Sequence, residues 1–137
     1  MTTENTYNGW TNYATWRVNV ELFDGWDIMC TFSEDEWLET MRSEYETINK
    51  AHRSTIDAST KASFFACYMS AWLADYLSEY PQMMLTDSKE DCPLVIGWAN
   101  AFLQEVNFRE LADHYLQEDE MYMSALEQIK NGAEVLK

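Results

Sequence analysis

Breakers of regular secondary structure are scarce in this chain. Its 137 residues contain only four glycines and two prolines, which favours helices joined by short turns over a sheet-rich fold. Apolar residues also recur at spacings of three and four, the period of an amphipathic helix. The sequence therefore predicts an all-α fold of about five or six helices around an aromatic core. We expect a single domain, residues 1–137, in which residues 1–8 are flexible.

Capping motifs predict where several helices begin. Ser33 and Glu36 form a capping box, in which each side chain satisfies a backbone N–H that the first helical turn leaves free. Asn107 and Glu110 predict a second start of the same kind. Another helix is predicted before the one that starts at Asn107. Pro93 fits its first position, because the N–H that proline lacks has no intrahelical partner there.

One aromatic segment is predicted to form a long central helix. Its aromatic residues recur at helical spacing: Phe65, Tyr68, Trp72, Tyr76 and Tyr80. We expect this helix over residues 60–80, ending at Pro81, because a proline inside a helix removes a hydrogen bond and clashes with the preceding turn. The stretch over residues 83–92, which is polar and acidic towards its end, is then expected to be a loop.

One segment near the N-terminus fits two periods. Over residues 16–22 apolar and polar side chains alternate, as they do in a strand, but apolar residues between positions 13 and 23 also lie three and four apart. Asn12 is a favourable N-cap and Gly25 a favourable stop, so we favour a helix. A short strand at 16–22 is the alternative.

The chain combines strong acidity with a large apolar content. Twenty-four acidic and nine basic residues give a net charge of −15, while 47% of the residues are hydrophobic and 15% aromatic. The aromatic content predicts a folded chain with its acidic side chains outside the core. The charge disfavours direct binding to nucleic-acid phosphates and to anionic membranes.

Sequence motifs for catalysis, metal binding and cofactor binding are not found. The three cysteines are widely separated, without a CxxC pair, so a reducing cytosol is the expected compartment. No glycine-rich phosphate loop occurs, and neither a signal peptide nor an apolar run of about 18 residues is visible. We therefore predict a cytoplasmic protein that is not an enzyme and that has no catalytic residue, metal or cofactor.

Acidic residues gather in three short stretches, which are the candidate partner-binding residues. They are an N-terminal acidic cluster (Glu34, Asp35, Glu36 and Glu39), a central acidic cluster (Asp87, Glu90 and Asp91) and a C-terminal acidic cluster (Glu118, Asp119 and Glu120). A folded chain of this length is about 37 Å across, and duplex DNA of that length carries on the order of 20 charges. The 24 acidic residues and the net charge of −15 approach that number of charges. The comparison predicts a DNA mimic that is attracted to a basic surface.

Two phrases of the sequence resemble a known group of proteins. The opening Tyr7–Asn19 (YNGWTNYATWRVN) and the later Val106–Ala112 (VNFRELA) are similar to phrases of small phage- and plasmid-borne proteins. The resemblance implies an origin on a mobile element, and mobile elements face restriction and CRISPR nucleases. Within the opening phrase we expect Trp10, Tyr13 and Trp16 to anchor the N-terminal segment on the core.

The predicted function is inhibition of a host DNA-binding defence complex, as an anti-CRISPR or anti-restriction protein in the host bacterial cytoplasm. The partner would be a host protein or nucleoprotein complex with a basic DNA-binding surface, while no direct binding to nucleic acid or to a membrane is expected. The oligomeric state stays open. One alternative is an adaptor that binds a host protein through an aromatic or methionine patch. A further alternative is a small hydrolase or metal-dependent enzyme that uses His114 with the neighbouring acids Glu110, Asp113 and Glu118.

Overall fold

The computed structural model describes residues 6–52 and 55–132, and this part of the chain contains six α-helices and no β-strand. The helices are α1 (Tyr13–Val18), α2 (Glu34–His52), α3 (Ala58–Asp87), α4 (Pro93–Gln104), α5 (Phe108–Glu118) and α6 (Glu120–Lys130). A π-helical turn (Asn19–Phe23) continues α1, and a 3-10 turn (Ile28–Cys30) precedes α2. Among the described residues no helix has the length and apolar character needed to span a membrane. The all-α class predicted from the sequence is confirmed.

The segment that fits both a helix and a strand is helical. Asn12 caps α1, since its Oδ1 accepts the backbone N–H of Thr15 at 2.9 Å. The chain leaves the π-helical turn through Gly25, whose φ of 78° lies in the left-handed region that favours glycine. Ala14 and Val18, four residues apart, are buried on one side of the helix. The helical period therefore decides the structure here, and the alternation does not.

Both predicted capping motifs are present. The Glu36 backbone N–H donates to Ser33 Oγ, and the Ser33 N–H donates to a Glu36 carboxylate oxygen, each at 3.1 Å. At the start of α5, the Glu110 N–H donates to Asn107 Oδ1 at 3.0 Å. The Glu110 carboxylate in turn accepts the backbone N–H of Thr11. The second cap thus also holds a contact between distant parts of the sequence.

The prediction that Pro81 ends the aromatic helix is wrong. Helix α3 continues through Pro81 to Asp87. A proline inside a helix costs about 3 kcal/mol or more, and packing offsets that cost here. Pro81 is buried and lines an apolar groove together with Leu22 and Phe102. The ring therefore contributes to the packing of α3 against its neighbours while it interrupts the hydrogen bonds of the helix.

The loop predicted over residues 83–92 is correspondingly shorter, because only residues 88–92 lie between α3 and α4. Lys89 occupies the left-handed region with a φ of 60°, a conformation that does not occur within a right-handed helix. Pro93 opens α4 as predicted. The helix ends at Gln104.

The residues form two compact units according to their internal contacts. The first unit holds residues 1–26 and 73–112, and the second unit holds residues 27–72 and 113–137. Helices α3 and α5 each contribute residues to both units. The single domain expected from the sequence stays a prediction.

The N-terminal segment is described from residue 6 onward. Tyr7 exchanges two backbone hydrogen bonds with Trp10, at 2.7 and 2.9 Å, and these close a tight turn through Gly9. The predicted flexibility of residues 1–8 concerns mostly residues 1–5, which lie outside the described residues.

An aromatic core fills the second unit. Trp37 and Phe65 are fully buried, and Phe65 stacks on Tyr122 with ring centroids 5.9 Å apart. The ring of Trp37 lies 5.9 Å from that of Trp72 and 5.9 Å from that of Phe32. These contacts connect α2, α3 and α6, and they confirm the aromatic core predicted from the sequence.

Candidate functional site

The N-terminal and C-terminal acidic clusters meet in the second unit. The buried side chain of Trp37, in the first turn of α2, donates from Nε1 to Asp119 Oδ2 at 2.8 Å. Leu38 of α2 and Met121 of α6 line a common groove of about 350 Å³, so the two helices also lie side by side. The first turn of α2 therefore lies beside the junction of α5 and α6. We call the seven acidic residues of these two clusters the acidic surface.

Two members of the acidic surface hold the local fold. Asp119 Oδ2 accepts the Trp37 indole N–H and also the Tyr122 backbone N–H, at 2.8 Å, which makes Asp119 the N-cap of α6. Glu36 closes the capping box of α2. Replacing either carboxylate would perturb the helix start that it stabilises, since a lost N-cap costs about 1 kcal/mol.

Other members of the acidic surface face solvent. Glu34, Asp35 and Glu120 are exposed, and their carboxylates make no hydrogen bond or ion pair with the described residues. They lie in the first turns of α2 and α6, where the positive end of the helix dipole stabilises negative charge. Glu39 approaches Arg42 at 3.8 Å. These four carboxylates are the ones best placed to meet a partner.

The central acidic cluster lies in the first unit, whereas the other two predicted clusters lie together in the second unit. Asp87 ends α3, Asp91 is exposed in the following loop, and Glu90 accepts the Cys92 backbone N–H at 3.0 Å. In the sequence, the first unit carries ten acidic and three basic residues and the second carries fourteen and six. Both units are therefore strongly acidic.

The two phrases that resemble mobile-element proteins contact each other in the first unit. The Thr11 N–H donates to the Glu110 carboxylate at 2.9 Å, across 99 residues of sequence. The Asn107 N–H donates to Oγ1 of the buried Thr15 at 2.8 Å, across 92 residues. These bonds give both phrases a structural role, because they fix the N-terminal helix on the start of α5.

Aromatic residues of the opening phrase form a cluster in the first unit. Tyr7 lies 5.1 Å from Tyr13 and 4.9 Å from Trp16 between ring centroids, and Tyr13 meets Phe102 of α4 edge-on at 6.5 Å. Tyr13 is nevertheless 43% exposed, and Trp10 and Trp16 are only half-buried. The buried residues of α1 are Ala14, Thr15 and Val18, so small side chains and hydrogen bonds provide its inner contacts.

Of the acids that we expected around His114, Glu118 contacts it, whereas Glu110 and Asp113 bind other residues. His114 Nε2 lies 3.3 Å from Glu118 Oε1 on the surface of α5, with both side chains about half exposed. The Glu110 carboxylate binds the N-terminal segment, and Asp113 accepts a hydrogen bond from Ser70. No three His, Cys, Asp or Glu side chains within residues 6–52 and 55–132 are placed to hold a metal ion. The geometry around His114 is that of a pair on a helix surface.

Helix α4 carries an apolar surface that sequence reasoning missed. Its twelve residues include no charged side chain, and none of them is buried. Leu94 is 58% exposed and Trp98 66% exposed. The available signal was a largely apolar helix without a charged residue, since a helix of this kind is normally buried. Large exposed apolar patches of this kind mark binding sites for other molecules.

A buried phenol lies beside the aromatic core of the second unit. Tyr122 is 3% exposed and stacks on Phe65. Burial, with the negative charge of Asp113 as the second cause, raises the pKa of Tyr122 to about 12. Asp113 itself is held by Ser70, whose Oγ donates to Asp113 Oδ1 at 2.5 Å.

The raised pKa of Tyr122 predicts a loss of stability at alkaline pH. The folded state favours the neutral phenol, so its contribution is complete below the pKa of about 10 in the unfolded chain. The contribution is lost as the pH rises through about 12. Subtracting the tyrosinate absorbance of Tyr122→Phe from that of the wild type gives the titration curve of Tyr122. The midpoint of this curve is expected near pH 12. A midpoint near pH 10, the pKa of about 10 for tyrosine in an unfolded chain, would contradict the buried environment of Tyr122.

Comparison of the chain with protein-family models, with curated proteins and with solved structures finds no match. The resemblance of the two phrases to phage- and plasmid-borne proteins therefore stays a prediction.

Proposed function

We propose that this protein is a non-enzymatic inhibitor of a host defence complex of the CRISPR or restriction type in the bacterial cytoplasm. Its acidic surface would occupy the basic surface on which that complex receives DNA. The observation that carries the proposal is the hydrogen bond between Trp37 and Asp119, which joins two acidic clusters into one surface. The net charge of −15 supports the same function.

The construction of the acidic surface suits DNA mimicry. Its solvent-facing carboxylates project from the first turns of two helices that are fixed to each other through buried Trp37. Rigid placement of the two helix starts matters because binding then orders little of the backbone, and such ordering otherwise reduces affinity. Acidic groups facing a basic cleft also accelerate association, by a factor of roughly 10 to 1,000. A protein of this kind would compete with DNA through both its charge and its rate of encounter.

Plasmid transformation provides a test that does not require the target to be known. Each recipient strain would carry one defined CRISPR or restriction system, and a matched strain would lack it. Expression of the protein is expected to raise transformation at least tenfold in one protected strain and to leave the matched strain unchanged. No increase in any strain, at confirmed expression, would overturn the proposed function.

A charge-matched pair of variants tests whether the acidic surface is responsible. The first variant, Glu34→Gln, Asp35→Asn and Glu120→Gln, removes the solvent-facing carboxylates and leaves both helix caps intact. The control variant, Glu46→Gln, Asp75→Asn and Glu127→Gln, removes three exposed carboxylates elsewhere, so both retain a net charge of −12 from the original −15. We expect inhibition to fall about tenfold or more for the first variant, mainly through slower association.

Because both variants have the same net charge, a difference in inhibition between them comes from the positions of the substituted residues. Thermal unfolding measured by circular dichroism would establish that each variant folds. Equal loss of inhibition in the two variants would mean that overall acidity acts and not the surface at Trp37 and Asp119. Full inhibition by the first variant would exclude the acidic surface as the contact.

A further inference from the structure

Large apolar side chains are exposed on α4 and at the end of α3, and these two helices line one groove in the first unit. We call this region the apolar surface, and its members are Tyr80, Met83, Met84, Leu94, Val95 and Trp98. Their exposed fractions run from 42% for Tyr80 to 66% for Trp98. Single exposed apolar residues are ordinary in folded proteins, whereas six large ones on two successive helices that line one groove need an explanation.

A groove adjoins the apolar surface. It has a volume of about 310 Å³, and its lining is entirely apolar: Leu22, Pro81, Met84, Leu85, Ala99, Phe102 and Leu103. Ala99 and Phe102 lie one helical turn beyond Val95 and Trp98 on α4, so the groove extends the exposed face of that helix. A large apolar side chain from another molecule could be received there. Methionine at the rim adapts to partners of different shape.

The charges around the apolar surface restrict what can cover it. The central acidic cluster (Asp87, Glu90 and Asp91) precedes α4, and Glu105 follows it. Of the three basic residues of the first unit, Lys89 lies within the stretch of the central acidic cluster, which outnumbers it three to one, and Arg17 is paired with Glu21 at 2.5 Å. A second copy of the chain would bring together two bodies of net charge −15, and an anionic membrane would be repelled in the same way. Charge complementarity therefore favours a basic partner.

We propose that the apolar surface binds an amphipathic helix of another protein, whose apolar face is flanked by lysine and arginine. Large apolar side chains of that helix at spacings of three, four and seven would contact Trp98 and enter the groove, as in other helix-in-groove complexes. Its basic flanks would meet the central acidic cluster and Glu105. This contact is separate from the acidic surface and does not depend on the proposed inhibition of a defence complex.

A synthetic peptide tests the proposal directly. The probe is a labelled helical peptide with leucines on one face and lysines on both flanks, and its binding is followed by fluorescence anisotropy at about 0.15 M salt, where exposed charges are screened beyond about 8 Å. A scrambled peptide of the same composition retains the charge but has no apolar face. We expect the amphipathic peptide to bind at least tenfold more tightly than the scrambled one.

Protein variants then locate the contact. Trp98→Ala is expected to weaken the binding of the amphipathic peptide tenfold or more, because aromatic anchors dominate such interfaces. Met123→Ala, which removes a 41% exposed apolar side chain in the second unit, should leave binding unchanged. The triple variant of Glu34, Asp35 and Glu120 should also bind the peptide normally, which separates this contact from the acidic surface.

Three outcomes would overturn the proposal. Equal binding of the scrambled peptide would show that charge alone attracts the probe. Unchanged binding by Trp98→Ala would place the contact elsewhere. A wild-type dimer in sedimentation equilibrium that Trp98→Ala converts to monomer would identify a second copy of this chain as the molecule that covers the surface.

Discussion

Replacing Trp37 by alanine is expected to lower the free energy of unfolding by about 3–5 kcal/mol, the usual cost of truncating a buried aromatic residue. The side chain of Trp37 is fully buried and contacts the rings of Phe32 and Trp72. Its indole N–H also binds Asp119, which caps α6. Small domains have a total stability of about 5–15 kcal/mol, so this one change removes a large share. Equilibrium unfolding in urea measures the loss.

The matched control for Trp37→Ala is the same substitution at Trp98. Because Trp98 is 66% exposed, Trp98→Ala should change stability by no more than about 0.5 kcal/mol, as is usual for surface positions. Trp37→Phe separates packing from hydrogen bonding, since it retains a ring but no donor for Asp119. Similar stability losses for Trp37→Ala and Trp98→Ala would contradict the described packing of the second unit.

Thr15→Val is expected to destabilise the protein by about 1–3 kcal/mol, although the two side chains have nearly the same shape. Thr15 is fully buried, and its Oγ1 donates to Asn12 Oδ1 at 2.7 Å while it accepts the Asn107 N–H at 2.8 Å. Valine supplies neither the donor nor the acceptor, and a buried polar group without a partner costs about that much. The free energy of unfolding again provides the measurement.

Thr15→Ser is the control for this effect, because it retains the hydroxyl and removes one buried methyl group. We expect it to cost about 1 kcal/mol, in the range found for deleting one buried methyl or methylene group. Thr15→Val is therefore expected to cost more than Thr15→Ser if the hydroxyl holds the two distant phrases together. A variant series in which serine is the more harmful residue would assign Thr15 to packing alone.

Local signals in the sequence predicted much of the helical framework. Ser33, Asn107 and Pro93 mark helix starts through chemistry that acts within one helical turn, so their effect can be deduced without knowing the fold. The competition over residues 16–22 was decided correctly for the same reason, since the cap at Asn12 is local. Such signals depend on neighbours in sequence and survive in the folded protein.

The features that escaped prediction depend on tertiary contacts. The continuation of α3 past Pro81 follows from burial of the proline ring beside Leu22 and Phe102, which are distant in sequence. The exposure of Trp98 is equally invisible in a sequence where apolar residues are assigned to the core by default. Sequence reasoning placed the acidic residues on the outside, but it could not show which clusters would lie together.

The roles of individual acidic residues show the same limit. Asp119 was predicted only as a partner-binding residue, yet its carboxylate caps α6 and binds the indole of Trp37. That second contact spans 82 residues of sequence. Glu34, Asp35 and Glu120 keep solvent-facing carboxylates, so the proposed contact rests on them and on Glu39 more than on the whole set.

Competition with DNA tests most directly whether the acidic surface takes the place of a duplex. The defence complex identified by the transformation assay would be immobilised with this protein bound, and duplex DNA that the complex recognises would be added in increasing amounts. We predict that DNA releases the protein, that the apparent Kd rises in proportion to the DNA concentration, and that higher salt weakens the protein's binding. A ternary complex that holds both DNA and this protein, each at unchanged affinity, would contradict the proposed mimicry.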